Sequence, residues 1–282
     1  MRHPLVVLLS DFGMRDWYVA AMRGVILSRC PRAQLLDITH EVPPQDIIAG
    51  AFTLAAAAPW FPHGTVFVAV VDPGVGSDRA LLAARADGRF FVGPDNGLLA
   101  LTLRNAKPLT IVQLTNRRYW LKDVSRTFQG RDIIAPVAAY LASGGSLARL
   151  GRSLRRMTPL SLPAPERRGR TVSGHIVHID AFGNLITNLP ASYLGPAERP
   201  TRPMLHPHLS SHRVGVHPHL SSRVGVRYQR QAVRMVSSYA DGRPQELVAM
   251  VNALGLVELA IREGSAAWTF NAKRGDQVEL TT

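Results

Sequence analysis

The chain has 282 residues, 46% of them hydrophobic, with 33 basic and 20 acidic side chains and a formal net charge of +13. That much apolar side chain excludes a disordered chain and allows two packed domains or one large one. The longest apolar run is far short of a membrane span, Leu5–Leu9 is too short for a signal peptide, and the single Cys30 excludes an internal disulfide, so a cytoplasmic protein with no membrane partner is expected.

Leu5–Leu9 is a continuous apolar run, the pattern of a strand buried on both faces, and it ends in Ser10-Asp11-Phe12-Gly13. Tyr18–Leu27 has helical spacing. Leu35–Ile38 is strand-like and is followed by Thr39-His40-Glu41-Val42-Pro43-Pro44, after which the Ala-rich stretch from Pro44 to Ala58 favours a helix. Val66–Val71 is the clearest buried strand and runs into Asp72-Pro73-Gly74-Val75-Gly76. Phe90–Val92 leads to Gly93-Pro94-Asp95-Asn96-Gly97 and a helical Leu98–Leu103. Ile111–Leu114 reads as another strand and Ile133–Leu141 as another helix. This alternation predicts an α/β N-terminal domain, residues 1–157, with a largely parallel central sheet.

Residues 158–170 read as a Pro/Arg-rich linker. All but three of the basic residues are arginines, and seven of them lie between Arg149 and Arg170. No aromatic side chains interleave there to stack on bases, which argues against specific nucleic-acid binding. Residues 171–282 read as a smaller all-β C-terminal domain. Val172–Ile179 alternates with period two, and Asp180-Ala181-Phe182-Gly183-Asn184 forms a turn before Leu185–Leu189. Val233–Tyr239, Leu247–Val251 and Leu256–Ile261 are further strands, the last two closed by a hairpin at Asn252-Ala253-Leu254-Gly255. His206-Pro207-His208-Leu209-Ser210-Ser211 recurs as His217-Pro218-His219-Leu220-Ser221-Ser222, a tandem duplication suited to a surface loop. No Cys or carboxylate completes a zinc set around its histidines, so no metal is expected.

Asp11, Asp72 and Asp95 stand in loops after apolar strands, where open α/β sheets bind ligands. A carboxylate there can accept hydrogen bonds from sugar hydroxyls or act as a general base. Each can equally cap a helix or stabilise a turn, and for Asp95 the turn reading is preferred. The glycine-bearing loop at Asp72 lets a ligand approach the backbone, and Arg79 could return to pair with that acid. No Walker motif, G-x-G-x-x-G, nucleophile elbow, C-x-x-C or H-E-x-x-H is present.

Taken together, these loops resemble a known family. Leu8-Leu9-Ser10-Asp11-Phe12-Gly13, the stretch from Asp37 to Asp46, Val71-Asp72-Pro73-Gly74-Val75-Gly76 and Gly93-Pro94-Asp95-Asn96-Gly97-Leu98-Leu99 occur in order. Thr127-Phe128-Gln129-Gly130-Arg131-Asp132, the stretch from Ile179 to Asn188 and Gly264-Ser265-Ala266-Ala267 follow. From about residue 5 to about 270 the chain resembles the S-adenosylmethionine hydrolases, or SAM hydroxide adenosyltransferases, relatives of the fluorinase and chlorinase.

The resemblance implies that water attacks the ribose 5′ carbon of S-adenosyl-L-methionine, releasing adenosine and L-methionine without a cofactor. It implies catalytic roles for Asp72 and Arg79, with Gln129 where the family hydrolases carry His. It also implies substrate contacts at Asp11, Asp72, Phe128, Asp180, Phe182, Asn184, Tyr239, Glu258 and, through its backbone, Ile261. Asp16 is a weaker match, and Ala253 and Arg262 replace residues common in the family. A homotrimer with sites at subunit interfaces follows from the same resemblance. Because a carboxamide cannot take a proton near neutral pH, the alternative is a protein that binds S-adenosylmethionine or adenosine with little turnover. Halide-dependent adenosyl transfer is disfavoured by Asp72, an acid that the halogenating relatives lack.

Overall fold

In the computed structural model, which describes residues 3–194 and 225–281, the chain divides into two units after Ser161. The first contains β1 (Leu5–Ser10), α1 (Tyr18–Arg29), β2 (Gln34–Thr39), α2 (Ile47–Ala57), β3 (Val66–Val70) and β4 (Leu81–Ala86). It continues with β5 (Arg89–Pro94), α3 (Ala100–Leu103), β6 (Leu109–Leu114), α4 (Ala135–Ala142) and β7 (Gly151–Leu154). The strands form one sheet in the order β2-β1-β3-β5-β4-β6-β7.

The apolar runs of β1 and β3 are buried on both faces, as their composition requires. Val6, Leu8, Val66 and Val68 pack with Met22, Ile26 and Val137 on one side of the sheet. Val7, Leu9, Phe67 and Ala69 pack with Leu54, Leu98 and Leu103 on the other. Each fully buried Leu or Phe contributes roughly 1.5–3 kcal/mol, so these central strands are the rigid floor on which the loops at their ends stand.

The sheet is mixed, which corrects the expectation of a largely parallel one. β2, β1, β3 and β5 run parallel, whereas β4, β6 and β7 add antiparallel pairings. Two strands of this sheet are absent from the sequence reading, the short edge strand β7 and β4, whose Ala-rich Leu-Leu-Ala-Ala-Arg-Ala carries helix propensity rather than a β signature. The signal for β4 lay in the next two residues. Asp87 and Gly88 both take positive φ, 47° and 71°, and form the two-residue turn that joins β4 to β5.

The second unit comprises β8 (Glu166–Arg168), β9 (Thr171–Ile179), β10 (Leu185–Pro190), β11 (Gly225–Tyr228) and β12 (Gln231–Met235). β13 (Leu247–Val251), β14 (Leu256–Ile261), α5 (Ala266–Thr269) and β15 (Gln277–Thr281) complete it. The strand order is β10-β14-β13-β12-β11-β15-β9-β8, and a further β9–β10 pairing closes the sheet into a barrel. Closure leaves an interior filled by Val172, Ile176, Leu185, Tyr228, Val257, Leu259 and Val278. Besides strands this unit holds the short α5. The strand expected over Val233–Tyr239 stops at Met235, and Tyr239–Asp241 forms a turn of 3₁₀ helix closed by a Ser238–Asp241 capping box. Glu166–Arg168, inside the Pro/Arg-rich stretch, pairs with β9. The duplicated His-Pro-His-Leu segments lie outside the described residues. Among the described residues no helix is long and apolar enough to cross a membrane.

Candidate active site

In the first unit, β1 delivers Ser10 and Asp11, and its neighbour β3 delivers Val71 and Asp72, to the same end of the sheet. Asn96 fixes this end of the chain by donating from Nδ2 to the Val71 carbonyl at 2.8 Å. The loop after Asp72 turns through Gly76, at φ 83°, where an added Cβ would lie 2.8 Å from the Arg126 carbonyl oxygen. Only glycine allows that approach, which brings the loop carrying Arg79 against the segment leading to Phe128 and Gln129.

Arg79 is the hub. Its Nε donates to both carboxylate oxygens of Asp72, at 2.6 and 2.7 Å, and its Nη2 also donates to Asp72 Oδ2. The same Nη2 donates to Gln129 Oε1 at 2.7 Å. The Asp72 and Arg79 side chains are only 6% and 10% exposed, so this ion pair works in a low dielectric and holds one geometry. Since Gln129 Oε1 is taken by Arg79, the amide's Nε2 is left as its donor end.

Gln129 sits immediately before a π-helical turn, Gly130–Ile134, that opens α4. Asp132 in this turn is fully buried, accepts from Arg131 Nε at 2.6 Å and from the Ser125 backbone at 2.7 Å, and so pins the preceding loop. Phe128 is buried and meets Phe12, Trp17 and Tyr18 edge-on, with ring centroids 5.9, 5.4 and 5.1 Å away. Asp16 is exposed in the loop that carries Trp17. Asp11 Oδ2 accepts from the backbone of Gln45 at 2.8 Å, which leaves its other oxygen for a ligand. Asp95 accepts from the Thr158 backbone at 2.7 Å and so ties its loop to the segment beyond β7.

The second unit groups the other residues singled out by sequence. Asp180 Oδ1 accepts from the backbones of Phe182 and Asn184, and its Oδ2 accepts from Asn184 Nδ2, all at 2.9 Å. This tight turn throws the Phe182 ring outward, 79% exposed. Gly183, at φ 82°, packs so closely on Ser265 that a Cβ would overlap the Ser265 hydroxyl, and the Ala267 backbone donates to the Gly183 carbonyl at 2.9 Å. Tyr239 is half-exposed and donates its hydroxyl to Glu258 Oε1 at 2.6 Å. Glu258, 3% exposed, also accepts from Asn252 Nδ2 at 3.1 Å. Burial pushes the Glu258 carboxyl up despite these two donors, and the negative charge of Asp180 adds to the rise. Burial and the Glu258 contact push the Tyr239 phenol up as well. Ile261 is buried at the end of β14, and its carbonyl accepts from the Gly264 backbone at 3.2 Å. Arg262 donates to the Ala240 and Gly242 carbonyls and so braces the Tyr239 turn.

The first unit thus presents a carboxylate and an amide donor tied to one guanidinium, an arrangement that can hold a water molecule between an acceptor and a donor. The second presents outward aromatic rings beside hydrogen-bond acceptors, which suits a flat polar heterocycle. The sequence reading missed Trp17 and Tyr18, and it quoted Gly76, Asn96 and Asp132 only as members of motifs, without the bracing contacts they make here. Among the described residues no group of three or more His, Cys, Asp or Glu could hold a metal ion.

Comparison with known proteins gives a consistent result. Residues 6–151 match the SAM hydroxide adenosyltransferase N-terminal domain, and residues 174–279 match the C-terminal domain of the same family. A protein named (R)-S-adenosyl-L-methionine hydrolase from Salinispora tropica is 36% identical over 99% of this chain and 98% of its own length. One of the same name from Thermus thermophilus is 35% identical over 98% of each. A crystal structure of an uncharacterized conserved protein from Thermotoga maritima, 32% identical, superposes with a TM-score of 0.82 over 98% of this chain and 100% of its own. The chain belongs to the SAM hydroxide adenosyltransferase family.

Proposed function

We propose that this chain is an S-adenosyl-L-methionine hydrolase, forming adenosine and L-methionine. The observation that carries the reading is the joint clasp of Asp72 and Gln129 by Arg79. It is supported by relatives named for this hydrolysis that match almost end to end.

Water attacks the ribose 5′ carbon in line with the carbon–sulfur bond. A carbon–oxygen bond forms, the carbon–sulfur bond breaks, and its electron pair stays on the sulfur of methionine as a neutral thioether. The proton lost from the attacking water is the third product. The sulfonium is already activated, so no cofactor is needed, and the protein's task is to orient water and substrate. Gln129 Nε2 donates to the water oxygen while Asp72 accepts one of its hydrogens, which points a lone pair along the attack path. Gln129 cannot take a proton, so the proton leaves through Asp72. Asp11 accepts the ribose hydroxyls, and Phe128 closes the pocket beside Gln129. Asp180, Phe182, Asn184, Tyr239, Glu258 and the Ile261 backbone bind adenine and the methionine portion. The active form is a homotrimer with substrate held at subunit interfaces.

The commitment of Gln129 Oε1 to Arg79 also favours a second reading, in which the site binds its ligand and turns over little. A product assay separates the two. Adenosine and methionine formed from S-adenosylmethionine, independent of chloride and falling at least about 10²-fold in Asp72→Ala, establish the hydrolase. Binding of adenosine with no product above the Asp72→Ala background establishes the binder. Chloride-dependent formation of a 5′-halogenated adenosine overturns both.

A further inference from the structure

We propose that His40 is a positioning residue for Asp11, acting through Ser10 to hold that carboxylate where it meets the ribose hydroxyls. The inference rests on the reading of Asp11 given above. His40 is 4% exposed and Ser10 2%, so neither side chain can touch substrate directly. Yet the two bracket the residue that does.

The Ser10 hydroxyl lies 2.7 Å from His40 Nδ1, and the Phe12 backbone donates to the same hydroxyl oxygen at 3.3 Å. On the far side of Asp11, the Gly13 backbone donates to the His40 carbonyl at 2.7 Å. The loop carrying His40 ends at Gln45, whose backbone donates to Asp11 itself. The two loops that leave β1 and β2 are therefore stitched at Ser10, Asp11 and Gly13, and His40 supplies two of the four links, the Val42 backbone adding a longer one to the Ser10 carbonyl at 3.4 Å.

The imidazole is in turn oriented from behind. Its Nε2 lies 3.1 Å from Asp37 Oδ1, too oblique for a well-formed hydrogen bond but within ion-pair reach, and Asp37 Oδ2 accepts from Arg23 of α1. The partners assign the tautomer. Nε2 carries the hydrogen and faces the Asp37 carboxylate, while Nδ1 is bare and accepts from Ser10, whose oxygen accepts from Phe12. The result is a directed chain from Arg23 through Asp37, His40 and Ser10 to the backbone on either side of Asp11. A buried network that served stability alone would have no cause to converge on both flanks of one half-exposed carboxylate. Small displacements of a group that must meet two adjacent hydroxyls together are expensive in affinity.

The test uses the full-length protein with S-adenosylmethionine and its 2′-deoxyribosyl analogue. His40→Ala and Ser10→Ala should each raise KM about tenfold, the worth of one well-placed hydrogen bond, with kcat little changed. Both should erode the preference for the ribosyl over the deoxyribosyl substrate, a readout that a general loss of stability does not move. His40→Asn, whose amide oxygen can accept from Ser10, should recover most of that preference. Ser10→Ala removes the same link without emptying the space of the imidazole, so it decides the matter if His40→Ala does not fold. If the folded variants keep wild-type KM and preference while Asp11→Ala loses both, the positioning role is wrong and the ribose contact stands. If Asp11→Ala itself keeps them, the ribose assignment of Asp11 is wrong, and the role of His40 falls with it.

Discussion

Gln129 is the position where this chain most sharply tests the chemistry of its family. Replacing it with Leu keeps the approximate size and removes both ends of the amide. Arg79 Nη2 then loses its 2.7 Å acceptor and, in the proposed mechanism, the attacking water loses its donor. A hydrogen bond involving a charged group is worth about 1.5–3 kcal/mol, so kcat should fall roughly 10- to 150-fold. KM should change little, because in the proposed mechanism the amide addresses water rather than substrate. Gln129→His is the companion variant. A neutral imidazole can accept from Arg79 through one nitrogen and donate to water through the other, so above pH 7 it should stay within about tenfold of the parent. As pH falls through the imidazole's titration, the ring can no longer accept from Arg79, and activity should decline where the parent's does not. Adenosine release measured by chromatography from pH 6 to 9, with a thermal melt of each variant as a folding control, reads all of this. Unchanged kcat in Gln129→Leu, or a gain of 10² or more in Gln129→His, would refute the assignment of Gln129 as a donor that needs no proton-accepting role.

Two further outcomes follow from buried groups away from the water. Burial first, and then the neighbouring Arg23, push the His40 imidazole down to about 4 from 6.5, with Glu41 opposing. Between those values the unfolded chain binds the proton and the native protein does not, so native stability is lost as pH falls from 6.5 through 4. Relative to His40→Gln, whose side chain does not titrate, the parent should lose about 3 kcal/mol across that window, measured by urea unfolding at each pH. An identical pH dependence in the two proteins would show that His40 is not buried neutral. In the second unit, Gly183→Ala should cost on the order of 1–3 kcal/mol of stability, since it places a Cβ at positive φ and against Ser265. It should also weaken adenosine binding in calorimetry by re-aiming Phe182, and wild-type affinity in a folded Gly183→Ala would sink that link.

The parts of the fold legible in the sequence are those where one physical signal dominates. Val66–Val70 needs only its unbroken apolar run, and Thr171–Ile179 only its alternation. β4 was illegible because Ala-rich composition points to helix while the partners on either side impose a strand. The π-helical turn at Gly130–Ile134 leaves no compositional trace at all. At the site, the acids could be found as loop carboxylates following strands, and Arg79 by its spacing from Asp72. That Arg79 also reaches Gln129, fifty positions on, could not be read from spacing, because the contact depends on Gly76 meeting the Arg126 backbone. Asn96 and His40 lie inside motifs, but their partners, the Val71 carbonyl and the Ser10 hydroxyl, are distant in sequence and could not be read from it.

The widened turn at Gly130–Ile134 holds one residue more than an α turn over nearly the same angle. Excising one residue and rewinding the rest as α-helix would therefore keep the two flanking faces in phase. A length change farther along α4 would instead swing everything upstream by about 100°, the angular step of one residue. In that second case Gln129 would face away from Arg79 with its identity unaltered. The π turn is thus a place beside Gln129 where the residue count can change by one without re-aiming the amide, while along α4 the aim of position 129 is guarded by residue count as much as by residue type.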